Sequence, residues 1–234
     1  MARVGDDPPV TRPTTTRRPA ARASSAPAPG AKTARGLATQ AALVRAAQKV
    51  FERDGFLDAR IADITATART ATGSFYTYFN GKEEIFLAVV EALDEVGLHP
   101  PSLDYVAEKH DDVADLIADI TAHHRAYLET YHRNAKMMRV VEEVTNVSDS
   151  FRRERTARAQ SWIEASRDAI ATLQREGRAD PDLDPLTAAR ALSLMLSRSA
   201  YVTFVLEEEG AEAIEGLAQT LTRLWVNALK VALR

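Results

Sequence analysis

The sequence predicts an all-α protein in two parts, a small N-terminal body of three short helices and a larger bundle of longer ones. Three observations carry that expectation. Apolar residues recur at three- and four-residue spacing from Leu37 onward, and no stretch shows the period of two that marks a half-buried strand. Glycine, proline and Asn-Gly punctuation falls between the periodic segments. The short segments all precede residue 82, and the long ones follow it.

The elements run in order as follows. Residues 1–36 are rich in Pro, Arg, Thr, Ser and Ala, with almost nothing large and apolar to bury, which predicts a disordered basic arm. The first helix opens near Leu37, with Leu43, Ala46, Ala47, Val50 and Phe51 on one face and Gly55 closing it. Two short helices follow, about 61–68 and 72–79, separated by a tight break. Asn80-Gly81 is a turn dipeptide, and 82–96 reads as a longer helix presenting Ile85, Phe86, Val89, Val90 and Leu93. Gly97 and Pro100-Pro101 stop it.

Further helices are expected over 111–134, 136–144, 151–176, 186–207 and 212–233. The last should bury a stripe of Ile214, Leu217, Leu221, Leu224, Trp225 and Ala228. The segment 186–207 is apolar nearly all round, so it must be covered on more than one side. The expected division is an arm over 1–36, a three-helix body over 37–82 and a bundle over 83–234.

Composition narrows the class. The 234-residue chain is 45% hydrophobic and 27% charged, ordinary for a globular protein. It has no run of eighteen apolar residues and no secretory apolar core, so a cytoplasmic protein without a membrane span is expected. With no cysteine there is no disulfide framework and no thiolate metal site. The net charge of −3 divides into +5 over 1–36, +2 over 37–82 and −10 over the remainder. That asymmetry fits a polyanion partner at the N-terminal end, and it equally fits a soluble tail on an acidic protein.

Three short helices with a tight break inside the last pair suit a helix-turn-helix, whose second helix enters the major groove. That position is filled by Thr-Gly-Ser-Phe-Tyr-Thr-Tyr-Phe, residues 72–79. By helical spacing Phe75 and Phe79 should pack inward on Phe51 and Ile64. Thr72, Ser74 and Thr77 are small hydrogen-bonding groups suited to base edges or backbone. Gly73 permits close approach. The hydroxyls of Tyr76 and Tyr78 suit phosphate oxygens, and Lys82 adds a charge near the next helix start.

The stretches LVRAAQKVFERDGF, ARIADITATA and TGSFYTYFNGKEEIF resemble the DNA-binding domain of the TetR family of bacterial transcriptional regulators. The resemblance covers about 37–88 and departs from the family pattern in places. Arg69-Thr70 stands where a Gly-Val turn is usual. Ala71 replaces a capping Ser, leaving Thr70 or Thr72 to cap. Arg60 and Thr65 replace a Thr/Ser and an Ala. The resemblance implies a homodimer whose recognition helices read a near-palindromic double-stranded operator, with the last two helices forming the dimer interface. Arg60 and Arg69 are expected as added phosphate contacts, with Thr39 on the first helix.

The same resemblance implies a small-molecule effector bound within the bundle, and no cofactor. Candidate lining residues are His124, Tyr127, Tyr131, Met137, Met138, Phe151, Trp162, Met195 and Phe204, since Met and aromatic side chains make adaptable apolar walls. Such residues at helical spacing also make plain core. An apolar or amphipathic ligand is expected, with His124 and the two Tyr hydroxyls orienting its head group. The helix from Lys82 is the natural lever between the two parts.

Catalysis finds no support in the sequence. His123 and His124 lie on different helix faces, and His124 and His132 are about 12 Å apart by helix rise, too far to share a metal ion. No nucleophile elbow, phosphate-cradling glycine loop or HExxH motif occurs. The alternative to a regulator is a helical protein-interaction adaptor without sequence-specific DNA binding.

Overall fold

The structure, a computed structural model, describes residues 34–95, 97, 100 and 113–231. The expected basic arm therefore lies almost wholly outside the described residues. Within them the chain is helical throughout: α1 (Ala34–Asp58), α2 (Ile61–Thr67), α3 (Thr72–Phe75), α4 (Lys82–Glu95), α5 (Val113–Arg133), α6 (Ala135–Val147), α7 (Asp149–Arg175), α8 (Pro185–Tyr201) and α9 (Ala213–Leu229). A π-helical turn, Val202–Leu206, prolongs α8. No described helix is long and apolar enough to cross a membrane.

Local chemistry explains several helix ends. Gly55 takes φ +75°, interrupting α1 in a conformation that favours glycine, and returns Phe56 to the core. Glu84 reaches back to accept from the backbone and side-chain nitrogens of Asn80 at 2.7 and 2.8 Å, satisfying the start of α4. Ser148 caps α7 by accepting from Phe151 N, and Asp184 caps α8 by accepting from Thr187 N with Pro185 in the first turn. Arg139 holds the π-helical turn through the Val205 carbonyl and Glu208.

Two apolar clusters hold these helices. The larger runs without a break from Leu43, Phe51, Ile64, Phe75 and Phe79 through Phe86 and Val89 to Tyr127, Met137, Phe151 and Phe204. Edge-on aromatic contacts bind it: Phe86 meets Phe51, Phe56 and Phe151 at centroid distances of 5.3, 5.1 and 5.0 Å. The smaller surrounds Trp225 with Leu116, Ile120, Ile170, Leu173 and Leu192. The N-terminal helices thus rest on the bundle through α1, α4 and α6, and α1, at 25 residues, is not the short helix the sequence predicted.

Some expected burial is revised. The buried side of α9 is Ile214, Ala218, Leu221, Thr222, Trp225 and Leu229, while Leu224 and Ala228 face out. Trp225 faces α5, where its ring meets His124. Leu194 and Leu206 are also exposed, at 65% and 56%. The segment from α8 is therefore covered on one side only within this chain.

Candidate functional site

The DNA-reading region grows from a very short element. α3 is one turn, and turns continue it to Phe79, whose N–H donates to the Phe75 carbonyl. The continuous helix expected over 72–79 is thus an α-turn followed by looser turns. Two buried rings pin it: Phe75 and Phe79 contact each other at 5.7 Å and sit in the large core with Phe51 and Ile64. The polar residues around them differ in exposure. Thr72, Gly73, Tyr76 and Thr77 are exposed, whereas Ser74 and Tyr78 are half-buried.

The turn before α3 keeps its shape despite the changed sequence. Arg69 adopts φ +54°, the left-handed conformation for which glycine is usual, and its side chain projects to solvent. Neither Thr70 nor Thr72 caps α3: Ala71 is the capping residue, with no side-chain oxygen to accept a cap bond. Thr72 instead lies 3.3 Å from Thr65 Oγ1, a hydroxyl pair that ties α2 to α3, and Thr65 also donates to the Ala62 carbonyl. The departure at Thr65 is therefore matched by Thr72. Thr70 Oγ1 is buried with no partner among the described residues.

Three other expected contacts have differing freedom. Arg60 precedes α2 and is exposed. Thr39 is half-buried and donates to the Arg35 carbonyl one turn back. Lys82 is already engaged: Nζ donates to the Leu57 carbonyl at 2.9 Å and lies 4.7 Å over the Phe56 ring. It closes the end of α1 and fastens α4 to it.

Behind α4 lies a cavity of about 630 Å³, within the size range of small-molecule sites. Of the expected lining residues, Tyr127, Tyr131, Met138, Phe151 and Trp162 reach it. Four do not. His124 is fully buried between α5 and α9, where Nδ1 pairs with Thr222 Oγ1 at 2.9 Å and the ring meets Trp225 at 4.6 Å. Burial, aided by His123, pushes its pKa down to about 4. Met195 packs between the two apolar clusters, Met137 is fully buried in the larger one, and Phe204 sits beside His132.

The cavity is more polar than the sequence led one to expect. α4 contributes Leu87, Val90, Leu93 and Asp94, and α7 and α8 contribute five arginines: Arg152, Arg155, Arg158, Arg190 and Arg198. Arg155 donates to Glu142 at 2.7 Å and to Thr145 at 2.9 Å. Arg158 meets Glu91 at 2.6 Å, Asp94 at 3.3 Å and Glu154 at 3.4 Å, so one guanidinium joins α7 to the end of α4. Burial raises the Tyr127 and Tyr131 pKa values, keeping both phenols protonated. The arginines escaped sequence reasoning because a run such as Arg152-Arg153-Glu154-Arg155 has the pattern of a solvated face.

A helix-turn-helix seated on a helical bundle with an internal cavity defines a transcriptional regulator that pairs DNA binding with ligand binding. Comparison with known proteins agrees. Residues 43–89 match the family model for bacterial regulatory proteins, tetR family, and residues 120–230 match that for the transcriptional regulator EthR, C-terminal domain. The chain belongs to the TetR family of regulators, and it is not an enzyme.

It is similar to the HTH-type transcriptional regulator EthR of Mycolicibacterium smegmatis, 27% identical over 191 residues that cover 81% of this chain and 85% of that protein. Among solved structures it shares its fold with GusR of Salmonella enterica, at 18% identity and a TM-score of 0.66 over 86% of this chain and all of that one. It also shares it with FadR of Bacillus subtilis in complex with stearoyl-CoA, at 15% identity and a TM-score of 0.63, covering 81% and 98%.

Proposed function

We propose that this regulator binds a near-palindromic operator as a homodimer, represses transcription there, and leaves the DNA when an apolar or amphipathic effector enters the cavity. Residues 37–82 read the DNA, through Thr39, Arg60, Arg69, Thr72, Gly73, Ser74, Tyr76, Thr77 and Tyr78, with Lys82 at the junction. Residues 83–234 bind the effector and the partner subunit. The exposed leucines Leu194, Leu206 and Leu224, on or beside α8 and α9, supply an apolar face for that partner.

One observation carries the reading: α4 belongs to both parts. Its first residue, Lys82, holds the end of α1, and its later turns wall the cavity through Leu87, Val90, Leu93 and Asp94. A ligand wedged between α4 and α7 acts against the Arg158 ion pairs and tilts α4, carrying the reading helices with it. Differential binding to the two states need supply only about 1–3 kcal/mol. That a FadR structure of this fold holds stearoyl-CoA supports an acyl or similarly amphipathic effector.

Selection of bound duplexes from random DNA tests this. It should yield two inverted half-sites whose centres lie about one helical turn apart or a multiple of it, with affinity falling steeply as salt rises. An acyl compound should then release the enriched duplex. Absence of any salt-dependent duplex affinity would favour the adaptor alternative.

A further inference from the structure

The charges around the cavity do not cancel. Arg155 is matched by Glu142, Arg158 by Glu91, Asp94 and Glu154, and Arg152 by Asp149. Arg198 has no carboxylate partner among the described residues; its guanidinium lies 4.7 Å over the Tyr201 ring. It is close enough to Tyr131 to act on that phenol electrostatically, as Arg155 does. Tyr127 and Tyr131 are buried, line the same cavity and make no side-chain hydrogen bond to another described residue. The cavity therefore offers two phenolic donors and, exposed within electrostatic reach of Tyr131, a guanidinium with no carboxylate partner among the described residues, with Leu87 and Val90 in the same lining for a chain.

We infer that the effector is an anionic amphiphile whose carboxylate or phosphate head group is held by Arg198 together with the Tyr127 and Tyr131 hydroxyls. This rests on the cavity being the effector site. The physical basis is complementarity of charge: the guanidinium only donates and repels a cationic group, and the two neutral phenols can donate beside it to an anion. An anion there gains charge-assisted bonds, whereas a neutral ester leaves the guanidinium unmatched. Arg190, eight residues earlier on α8, also lines the cavity, within electrostatic reach of Asp184, and extends the site for a larger head group.

The test is binding of dodecanoate and its methyl ester to the full-length protein by calorimetry, below the concentration at which either aggregates. Dodecanoate should bind about tenfold more tightly or better. Arg198→Gln should remove that preference and Arg198→Lys should keep it, each variant being checked for its melting temperature. Equal affinity of the two probes for the wild-type protein overturns the anion assignment while leaving an apolar effector site in place. A preference that survives Arg198→Gln overturns the role of Arg198. If neither probe binds, the cavity is not an acyl site and both readings fall.

Discussion

The DNA-reading unit and the bundle use the same residue types in opposite directions. Around α3 the plain rings Phe75 and Phe79 turn inward while Tyr76 and the threonines face out. Around the cavity the hydroxylated rings Tyr127 and Tyr131 turn inward, with His124 buried nearby. Element length accounts for the contrast. A single helical turn can bury only one ring pair, so its polar atoms are left for water or a partner. Helices of 21 and 27 residues, α5 and α7, enclose space on their inner faces and can keep phenols and guanidinium groups around it. A tyrosine thus marks a contact surface in one region and a ligand-facing interior in the other.

The strongest way to break that comparison is Phe79→Ala. The side chain is 3% exposed and belongs to the large core, so its removal should cost about 3–5 kcal/mol in urea unfolding. Because the same core continues to Tyr127 and Phe151, the bundle should lose stability in the same transition. Separate melting of an unaffected bundle would mean the two regions are not built on one core.

The next effect is acid sensitivity, and it belongs to the bundle. Burial holds the folded-state pKa of His124 at about 4, below its ordinary value of 6.5. Between those values the unfolded chain binds a proton that the folded chain refuses, so stability rises with pH across the window and levels off above it. The full difference corresponds to about 3 kcal/mol. His124→Gln should flatten this part of the stability–pH curve; an unchanged slope would place the titration elsewhere.

What could be read from the sequence follows the same division. The reading unit was legible because it is local: Ile64, Phe75 and Phe79 lie within sixteen positions, and short-range spacing fixes which of them point inward. The left-handed turn at Arg69 was legible only as a departure, since the tertiary core imposes a backbone that Arg would not choose alone. The cavity was half legible. Tyr127, Tyr131, Met138, Phe151 and Trp162 lie on apolar faces of their helices, but spacing cannot distinguish wall from core, which is why His124, Met137, Met195 and Phe204 were misplaced. Arg155 and Arg158 were invisible because they pair with groups on other helices, up to 67 residues away for Arg158 and Glu91, and Arg198 because it has no carboxylate partner among the described residues.

Lys82→Ala probes the junction and has a smaller effect. Losing the bond to the Leu57 carbonyl and the contact with Phe56 should cost about 1–2 kcal/mol of stability. Operator affinity should fall as well, because the end of α1 is then no longer fixed to α4. Unchanged stability with weakened DNA binding would return Lys82 to a direct phosphate contact.

Gly73→Ala has the smallest effect on the fold and separates the two regions most cleanly. A Cβ at this position would meet nothing within 4 Å, and Gly73 lies in the exposed first turn of α3. Alanine should therefore leave stability unchanged or raise it by about 0.5 kcal/mol, through the reduced freedom of the unfolded chain. If the backbone of α3 approaches the groove closely, the added methyl group stands between protein and DNA, and affinity should drop about tenfold. In the close-packed part of the bundle a substitution cannot combine those two signs, since added volume there is destabilising. Retained operator affinity in Gly73→Ala would show that α3 reads DNA through its side chains alone, at a distance that leaves room for a methyl group.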